Sequence, residues 1–440
     1  MLPSVFLDRM KELLGENFDR FFHAYQNQPT KAIHLNRLKW NEQLDGSFFK
    51  QPIEAIPNAY FVDEKLGNHP YHHAGLFYSQ EPSAMIPAST LTIPSDAKVL
   101  DLCAAPGGKT FQLSEQVPNG FVISNEMNYS RAKKLLSNVE RLGLTNVVVT
   151  SMSAVELSNV YEGYFDVVLL DAPCSGEGMF RKDRDAIKEW SMDKVKELSL
   201  IQKNLMEQAS KMLKTGGYLI YSTCTFSLEE NEKMIYEFLK QHNYSLEDVS
   251  SKLLAITADG IALNDEFAYQ KMRRCYPYIF GEGQFVALLK KNEKSNSKII
   301  LNLLELPTKE QQKLVELAQN SINRSLYFKN YKGKLVIVPN LKVEIPNLRA
   351  LSCFITVGEI EHNEFIPHHQ FIKAYGCYFK RSINLPLKDV RVELYLKGFE
   401  LLGEMEKGYG VLMVDGLPLG LIKSSQGKLK NHYPKGLRIR

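Results

Sequence analysis

The six cysteines include no C-x-x-C pair and stand beside no histidine-rich tract, so a structural zinc site is not expected. Cysteines without a pairing pattern fit a reducing cytosol rather than a disulfide framework. No apolar run is long enough for a membrane span or a secretory leader. The first residues, MLPSVFLDRMKELLGENFDRFF, break helically spaced apolar positions with charges. No membrane contact is expected, and a soluble, cytoplasmic protein is. Internal repeats, heptads and low-complexity tracts are also missing, which excludes solenoids, coiled coils and disordered arrays. Charge of one sign is scarce as well, since the net value is only +4. It is unevenly spread: from residue 371 onward 13 Lys and Arg face 6 Asp and Glu, leaving the rest of the chain slightly acidic.

What is present is ordinary globular material: 440 residues, 44% hydrophobic and 24% charged, enough for two to four domains. Apolar runs at 98–102, 121–125, 147–151, 165–170, 217–221 and 285–290 alternate with helix-compatible stretches near 129–142, 183–213 and 228–241. Such alternation predicts an α/β domain with a mostly parallel sheet. Ligands of open sheets of this kind bind beyond the carboxyl ends of the strands. Asp101, Glu126, Asp171 and Cys224 each stand where an apolar run stops, and they should converge there.

The loop DLCAAPGGKT, residues 101–110, leaves the first of these runs and enters a helix start. Gly107 and Gly108 let backbone N–H groups approach a ligand, and the helix N-terminus beyond favours negative charge. GGKT together with the later VVLLD imitates a phosphate-binding ATPase. However, the first P-loop glycine would fall on Cys103, and Pro106 removes a donor from the stretch that should wrap phosphates. The dinucleotide pattern G-x-G-x-x-G is missing from this turn too. Two cysteine motifs follow, DAPCSGEGMFRKD around Cys174 and YSTCTF around Cys224. Taken singly, either cysteine reads equally well as a small core residue at a strand end.

The loop, DAPCSGEG and STCTF, in this order and spacing, resemble the RNA cytosine-5 methyltransferases of the RsmF group, relatives of the NSUN enzymes. The likeness is strong in the middle of the chain and looser at both ends. It implies a seven-stranded Rossmann-like class I methyltransferase core that binds S-adenosylmethionine. It further implies that Cys103, Ala104, Ala105, Pro106, Gly107, Gly108 and Lys109 wrap the methionine and ribose portion, mostly through backbone. Glu126 suits the ribose hydroxyls, Arg131 the loop or a phosphate, and Ser153 stands where the family has an acid at the adenine. DAPC departs from the [DN]PP[YF] motif of amino-group methyltransferases, where an aromatic stacks on the flipped base.

Carbon 5 of cytosine is too weak a nucleophile to take a methyl group directly, so a thiolate must first add at carbon 6. By resemblance Cys224 is that nucleophile and Cys174 assists product release. Asp171 would hydrogen-bond the cytosine amino group or ring nitrogen 3, and Lys109 would link loop and substrate. The implied substrate is 16S rRNA, free or in the 30S subunit, with the chain acting as a monomer and without a metal. The competing reading is a non-catalytic RNA-binding ribosome-assembly factor that keeps the methyltransferase fold.

Four regions are expected. Residues 1–90 form an N-terminal RNA-binding or packing domain, in which Tyr78, Gln80 and Glu81 frame the active site and His72 and His73 are structural or RNA-facing. Residues 91–291 are the catalytic domain. KKNEKSNSK, 290–298, reads as a linker. Residues 299–368 form a small α+β domain with a helix at 307–321 and a strand in KLVIVP. In 371–440 YGCYF, VRVELYL, GYGVLMVDGLPLGLIKS and the tail read as short strands, and the family likeness makes this module PUA-like and RNA-binding. Arg181 and Lys182 are expected to hold the target strand. Lys428, Lys430, Lys435, Arg438 and Arg440 would contact phosphates, with Tyr433 offering a stacking face.

Overall fold

The computed structural model describes residues 2–263, 267–294, 302–340, 344–345 and 349–439. Its centre is a sheet whose strands are the continuous apolar runs of the sequence, as expected for strands covered on both faces. Lys98–Asp101, Phe121–Asn125, Val147–Thr150, Phe165–Asp171 and Leu213–Thr223 all run parallel. Gln284–Lys291 lies antiparallel to Leu213–Thr223, and Tyr244–Glu247 pairs with it in turn. These seven strands form the Rossmann-like core. Ala258–Asp259, Arg273–Cys275 and Ala350–Cys353 extend it to ten.

Helices cover both faces, chief among them Gly108–Gln116, Tyr129–Leu142, Met192–Met212 and Glu232–Gln241. The stretch 183–213 is not one helix. Trp190 is extended and buried, its indole N–H donating to Glu177, and Ser191 caps a new helix by accepting from Lys194 N.

Before the core, Ala32–Leu35 lies between Ala59–Phe61 and Phe77–Gln80 in a three-stranded antiparallel sheet. The helices Ser4–Leu14 and Phe18–Ala24 send Phe6, Met10 and Phe21 into an aromatic cluster with Phe180, Trp190, Phe226 and Tyr276. Phe180 lies within one cysteine motif and Phe226 ends the other. The N-terminal helices therefore pack directly against both.

After the core, the expected linker begins inside the strand Gln284–Lys291, and residues 295–301 lie outside those described. The helix expected at 307–321 spans Gln312–Asn320, and KLVIVP contributes the strand Lys334–Val338. The C-terminal module is a five-stranded sheet. Gly408–Val414 and Leu417–Ser425 form its hairpin, turning at Asp415-Gly416, both with positive φ, as a two-residue type I′ turn requires.

Two segments expected as strands are helical. VRVELYL lies in the helix Val390–Lys397, capped by Asp389 and closed by Gly398 at φ 92°, with Val392, Tyr395 and Leu396 buried on one face. YGCYF begins at the end of the helix His369–Tyr375 and continues into a single 3₁₀ turn. Among the described residues no helix is long and apolar enough to cross a membrane.

Three modules meet at a buried cationic junction. Arg141, on the core helix Tyr129–Leu142, donates to the carbonyls of His72 and Phe77 at 2.8 and 3.1 Å. Lys373, fully buried on His369–Tyr375, donates to His73 O at 2.6 Å and Pro418 O at 2.7 Å. Lys39 donates to Ala74 O at 2.9 Å.

Candidate active site

The glycines of the cofactor loop and the carbonyls before them are fixed by close neighbours. Gly107 sits at φ 113°, and a side chain there would press on Leu135. A Cβ on Gly108 would lie 2.7 Å from the Gln80 side chain and 2.9 Å from Tyr78. The helix beyond presents its first N–H groups toward the loop. From the neighbouring helix, Arg131 donates to Ala105 O at 3.1 Å and Asn138 to Pro106 O at 2.9 Å. Arg131 thus braces the loop, and its guanidinium lies 3.4 Å from Glu126.

A cavity of about 210 Å³ opens here. It is lined by Cys103, Ala104, Ala105, Pro106, Gly108 and Lys109 of the loop, by Asp101 and Asp171, and by Tyr78, Gln80 and Glu81 from the N-terminal sheet. Asp101 is fully buried. One of its oxygens accepts from Thr110 at 2.7 Å, while Oδ1 has no hydrogen-bond partner. Burial pushes its carboxyl up to about 7. A buried, orphaned acceptor beside open loop amides marks a place made to receive a polar ligand. Glu126 is almost wholly covered at the end of its strand and accepts from Asn128 N at 2.9 Å. Ser153 has its hydroxyl engaged in a capping box with Glu156.

Asp171 and the two cysteines lie beside this cavity. Asp171 Oδ2 accepts from Lys109 Nζ at 2.7 Å, and Oδ1 accepts from Ser222 Oγ at 2.7 Å and Gln284 Nε2 at 3.2 Å. Burial works against the charge of Lys109, but the Asp171 carboxylate overrides it and holds the amine's pKa above its ordinary value. A thiolate at Cys224 would attract the same ammonium. Cys174 Sγ lies 3.3 Å from Cys224 Sγ and accepts from Cys224 N at the same distance. Sharing that contact with Cys224, and burial after it, drive the Cys174 thiol well above its usual pKa.

The RNA-facing expectations need correction at two positions. Arg181 has a side chain only 5% exposed, 3.3 Å from Glu282, and it donates to the carbonyls of Asn27 and Gln28 at 3.1 and 2.8 Å. It ties the N-terminal segment to the core, so most of its side chain is covered, although it lines the same cleft as Lys182. Tyr433 is buried and meets His73 Nδ1 at 3.0 Å, so it offers no stacking face. Lys182 lines a cleft of about 720 Å³ with Lys31 and Lys65, continuous with Gln80 and Glu81. Lys428, Lys430 and Lys435 are exposed. Lys428 is paired with Glu400 at 3.3 Å, and Arg438 packs on Gly398 and donates to Tyr433 O. Arg440 lies outside the described residues. His72 and His73 are half-buried, and burial takes their pKa values down to about 2 and about 4. No group of three or more His, Cys, Asp or Glu that could hold a metal occurs among the described residues.

Several residues of the site escaped the sequence reading. Glu177 is buried within the first cysteine motif and accepts from Phe226 N and Trp190 Nε1 at 2.9 and 3.0 Å. Glu230, Asn231 and Glu232 follow the second motif and are all fully buried. Asn231 Nδ2 donates to Thr225 O at 2.9 Å, and Glu232 pairs with Arg274. Three consecutive polar residues at the start of a helix read as solvent-facing capping, and their burial was the missing signal.

A parallel sheet of this order, a glycine cradle at its first strand and an acid ending its second define a methyltransferase of the Rossmann-like class. Residues 88–290 match the family described as 16S rRNA methyltransferase RsmB/F, residues 2–82 the N-terminal domain of 16S rRNA methyltransferase RsmF, and residues 382–439 the methyltransferase RsmF PUA domain. The chain belongs to the RsmF branch of this family of 16S rRNA methyltransferases.

Ribosomal RNA small subunit methyltransferase F of Vibrio campbellii is 31% identical over 99% of this chain and 97% of its own length. The protein of that name from Pectobacterium carotovorum is 36% identical over 66% of this chain and 63% of its own. Among solved structures, a methyltransferase homolog from Pyrococcus horikoshii superposes with a TM-score of 0.57 at 28% identity, over 66% of this chain and 95% of its own. NSun6 of the same organism, solved with SFG, shares the fold at a TM-score of 0.57 and 22% identity, over 66% and 99%.

Proposed function

We propose that the chain transfers a methyl group from S-adenosylmethionine to carbon 5 of a cytosine in 16S rRNA, through a covalent bond between Cys224 and carbon 6. The observation that carries this reading is the pair of sulfurs 3.3 Å apart beside the Lys109–Asp171 ion pair. The loop cavity and the orphaned Asp101 oxygen fit the cofactor: the loop residues that line the cavity would cradle it, and Glu126, outside that lining at the end of the second strand, would take its ribose hydroxyls. S-adenosylmethionine supplies an electrophilic methyl group.

The protein's own residues do the rest. Lys109 stabilises the Cys224 thiolate, which adds to carbon 6 while the ring π electrons shift to make carbon 5 nucleophilic. Asp171, held by Ser222 and Gln284, hydrogen-bonds the amino edge of the cytosine and stabilises the ring's developing charge. After carbon 5 is methylated a base removes its remaining proton, the Cys224–carbon 6 bond breaks, and Cys174 assists this release. Carbon 6 is hidden in a stacked duplex, so the target cytosine is unpaired or flipped out, at a cost of a few kcal/mol. The exposed cations Lys182, Lys31 and Lys65 along the cleft offset that cost by holding phosphates.

The test uses the full chain with small-subunit rRNA or 30S particles and radiolabelled S-adenosylmethionine, followed by nucleoside analysis. The wild type yields labelled 5-methylcytidine, Cys224→Ala loses at least about a thousandfold in rate, and Cys174→Ala accumulates a protein–RNA adduct. Label kept in Cys224→Ala but lost in Cys174→Ala reverses the two roles. No label in any small-subunit RNA favours the assembly-factor reading.

A further inference from the structure

Cys174 is gripped from behind by two buried side chains. Gln202 Nε2 donates to Pro173 O at 2.9 Å and to Glu230 Oε2 at 2.8 Å. Glu230 accepts from both polar groups of Ser175, the backbone N–H at 2.9 Å on Oε2 and the hydroxyl at 2.5 Å on Oε1. The residues on either side of Cys174 are therefore each held by one arm of the same pair. A further contact reaches the other cysteine loop, because Ser175 Oγ lies 2.7 Å from Thr225 Oγ1, next to Cys224.

All of this is out of water: Glu230 and Gln202 are 0% exposed, Thr225 1% and Ser175 8%. Burying a carboxyl group is costly, and a structural filler at this place would be apolar. An ionised carboxylate is acceptor-only, so it can serve three donors at once, which the amide of a glutamine cannot. Glu230 does not line the loop cavity and hydrogen-bonds neither sulfur. Its bonded reach into the chemistry is through the 173–175 turn, and its charge also helps to hold the Cys174 thiol protonated.

We propose that Glu230 is a positioning residue that locks the 173–175 turn, keeps Cys174 against Cys224, and thereby sets the rate at which the covalent adduct is released. This rests on the reading of Cys224 as nucleophile and Cys174 as release group. Burial, opposed by the bonds from Ser175 and Gln202, leaves the Glu230 carboxyl at about 7. The titratable groups around it are Glu177, Cys174 and Tyr221.

The experiment compares the wild type, Cys174→Ala, Glu230→Gln, Glu230→Asp and Ser175→Ala with small-subunit rRNA and S-adenosylmethionine from pH 6 to 8. It reads adduct on denaturing gels, the first turnover and the steady-state rate. In Glu230→Gln the adduct rises and steady turnover drops about tenfold, while the first turnover drops less, about threefold. Glu230→Asp recovers part of the steady rate.

Adduct in Cys174→Ala but none in Glu230→Gln overturns the positioning role and leaves the two-cysteine reading intact. Equal loss of first and later turnovers in Glu230→Gln also overturns it, since that is what a purely structural role predicts. No adduct in Cys174→Ala overturns the reading and this inference with it. If Glu230→Gln fails to fold, Ser175→Ala, which removes the hydroxyl bond to Oε1 and keeps the carboxylate and its backbone bond, decides on the same readouts.

Discussion

Asp171 accepts hydrogen bonds from Lys109, Ser222 and Gln284, donors from the start of a helix and two different strands. Its neighbours leave it no freedom to turn, which is what a group meant to stabilise charge at one fixed place requires. Asp171→Asn keeps the shape and removes the charge. It turns an N–H₂ toward at least one donor and leaves Lys109, only 13% exposed, without its counterion. The methylation rate is expected to drop about 100-fold or more, the scale of losing one preorganised charge stabiliser. Stability should drop by about 1–3 kcal/mol, the cost of a buried group left unpaired. Single-turnover methylation and denaturant melts measure the two effects separately. A drop in stability without the rate loss would confine Asp171 to holding Lys109.

Among the elements, the helices Ser4–Leu14 and Phe18–Ala24 stand out because they are remote in sequence yet between them touch both cysteine motifs. Phe6 is fully buried, edge-on to Phe180 at 5.1 Å and to Trp190 at 5.9 Å, and Phe21 meets Phe226 at 5.3 Å. Phe6→Ala removes a ring from that cluster at a cost of about 3–5 kcal/mol. The loss falls on the docking of one helix. Hydrogen exchange should therefore rise in residues 4–14 and 177–190 while the central strands stay protected, and methylation should weaken along with it.

The parallel strands were legible in the sequence because strands buried on both faces, such as FDVVLLD, read as continuous apolar runs. Each motif then marked a strand end, so the floor of the site could be placed from the residues alone. The helix Val390–Lys397 was not legible, because β-branched Val390 and Val392 favour a strand locally and burial of Val392, Tyr395 and Leu396 on one face overrides them. Arg181 misled because its partner Glu282 lies about 100 residues away. Glu230 was missed for the same reason, since its bonds to Ser175 span 55 residues.

At the scale of the whole molecule, the junction of Lys39, Arg141 and Lys373 joins the N-terminal sheet, the catalytic core and the C-terminal module. Only carbonyls bond Lys39 and Lys373, and no carboxylate of the described residues pairs with any of the three cations. Burial first, and Arg141 next, take Lys39 down to about 7, and burial takes Arg141 down to about 10. Lys373 is lowered well below its ordinary value, chiefly by burial. Around them His72, His73 and His369 are brought by burial to about 2, about 4 and about 3.

The unfolded chain binds protons on these histidines at its ordinary pKa of about 6.5, whereas the folded junction refuses them. The unfolded state thus holds more protons throughout this window. The histidines' share of the junction's stability is complete above pH 6.5 and is lost as pH falls toward 4. Lys39 acts on the alkaline side, its contribution shrinking between about 10.4 and 7.

The core's buried acids have the opposite sign. Asp101 and Glu230, both raised to about 7 by burial, take up protons more readily when folded, and their contribution grows as pH falls from 7 toward 4. Acid should therefore part the modules before it melts the sheet. Hydrogen exchange at pH 7 and pH 5, corrected for intrinsic rates, should show protection lost in 369–375 and 417–425 and kept in 165–171. Parallel loss in all three segments would mean that the junction and the core open as one unit, and that the unpaired cations do not set the weakest seam.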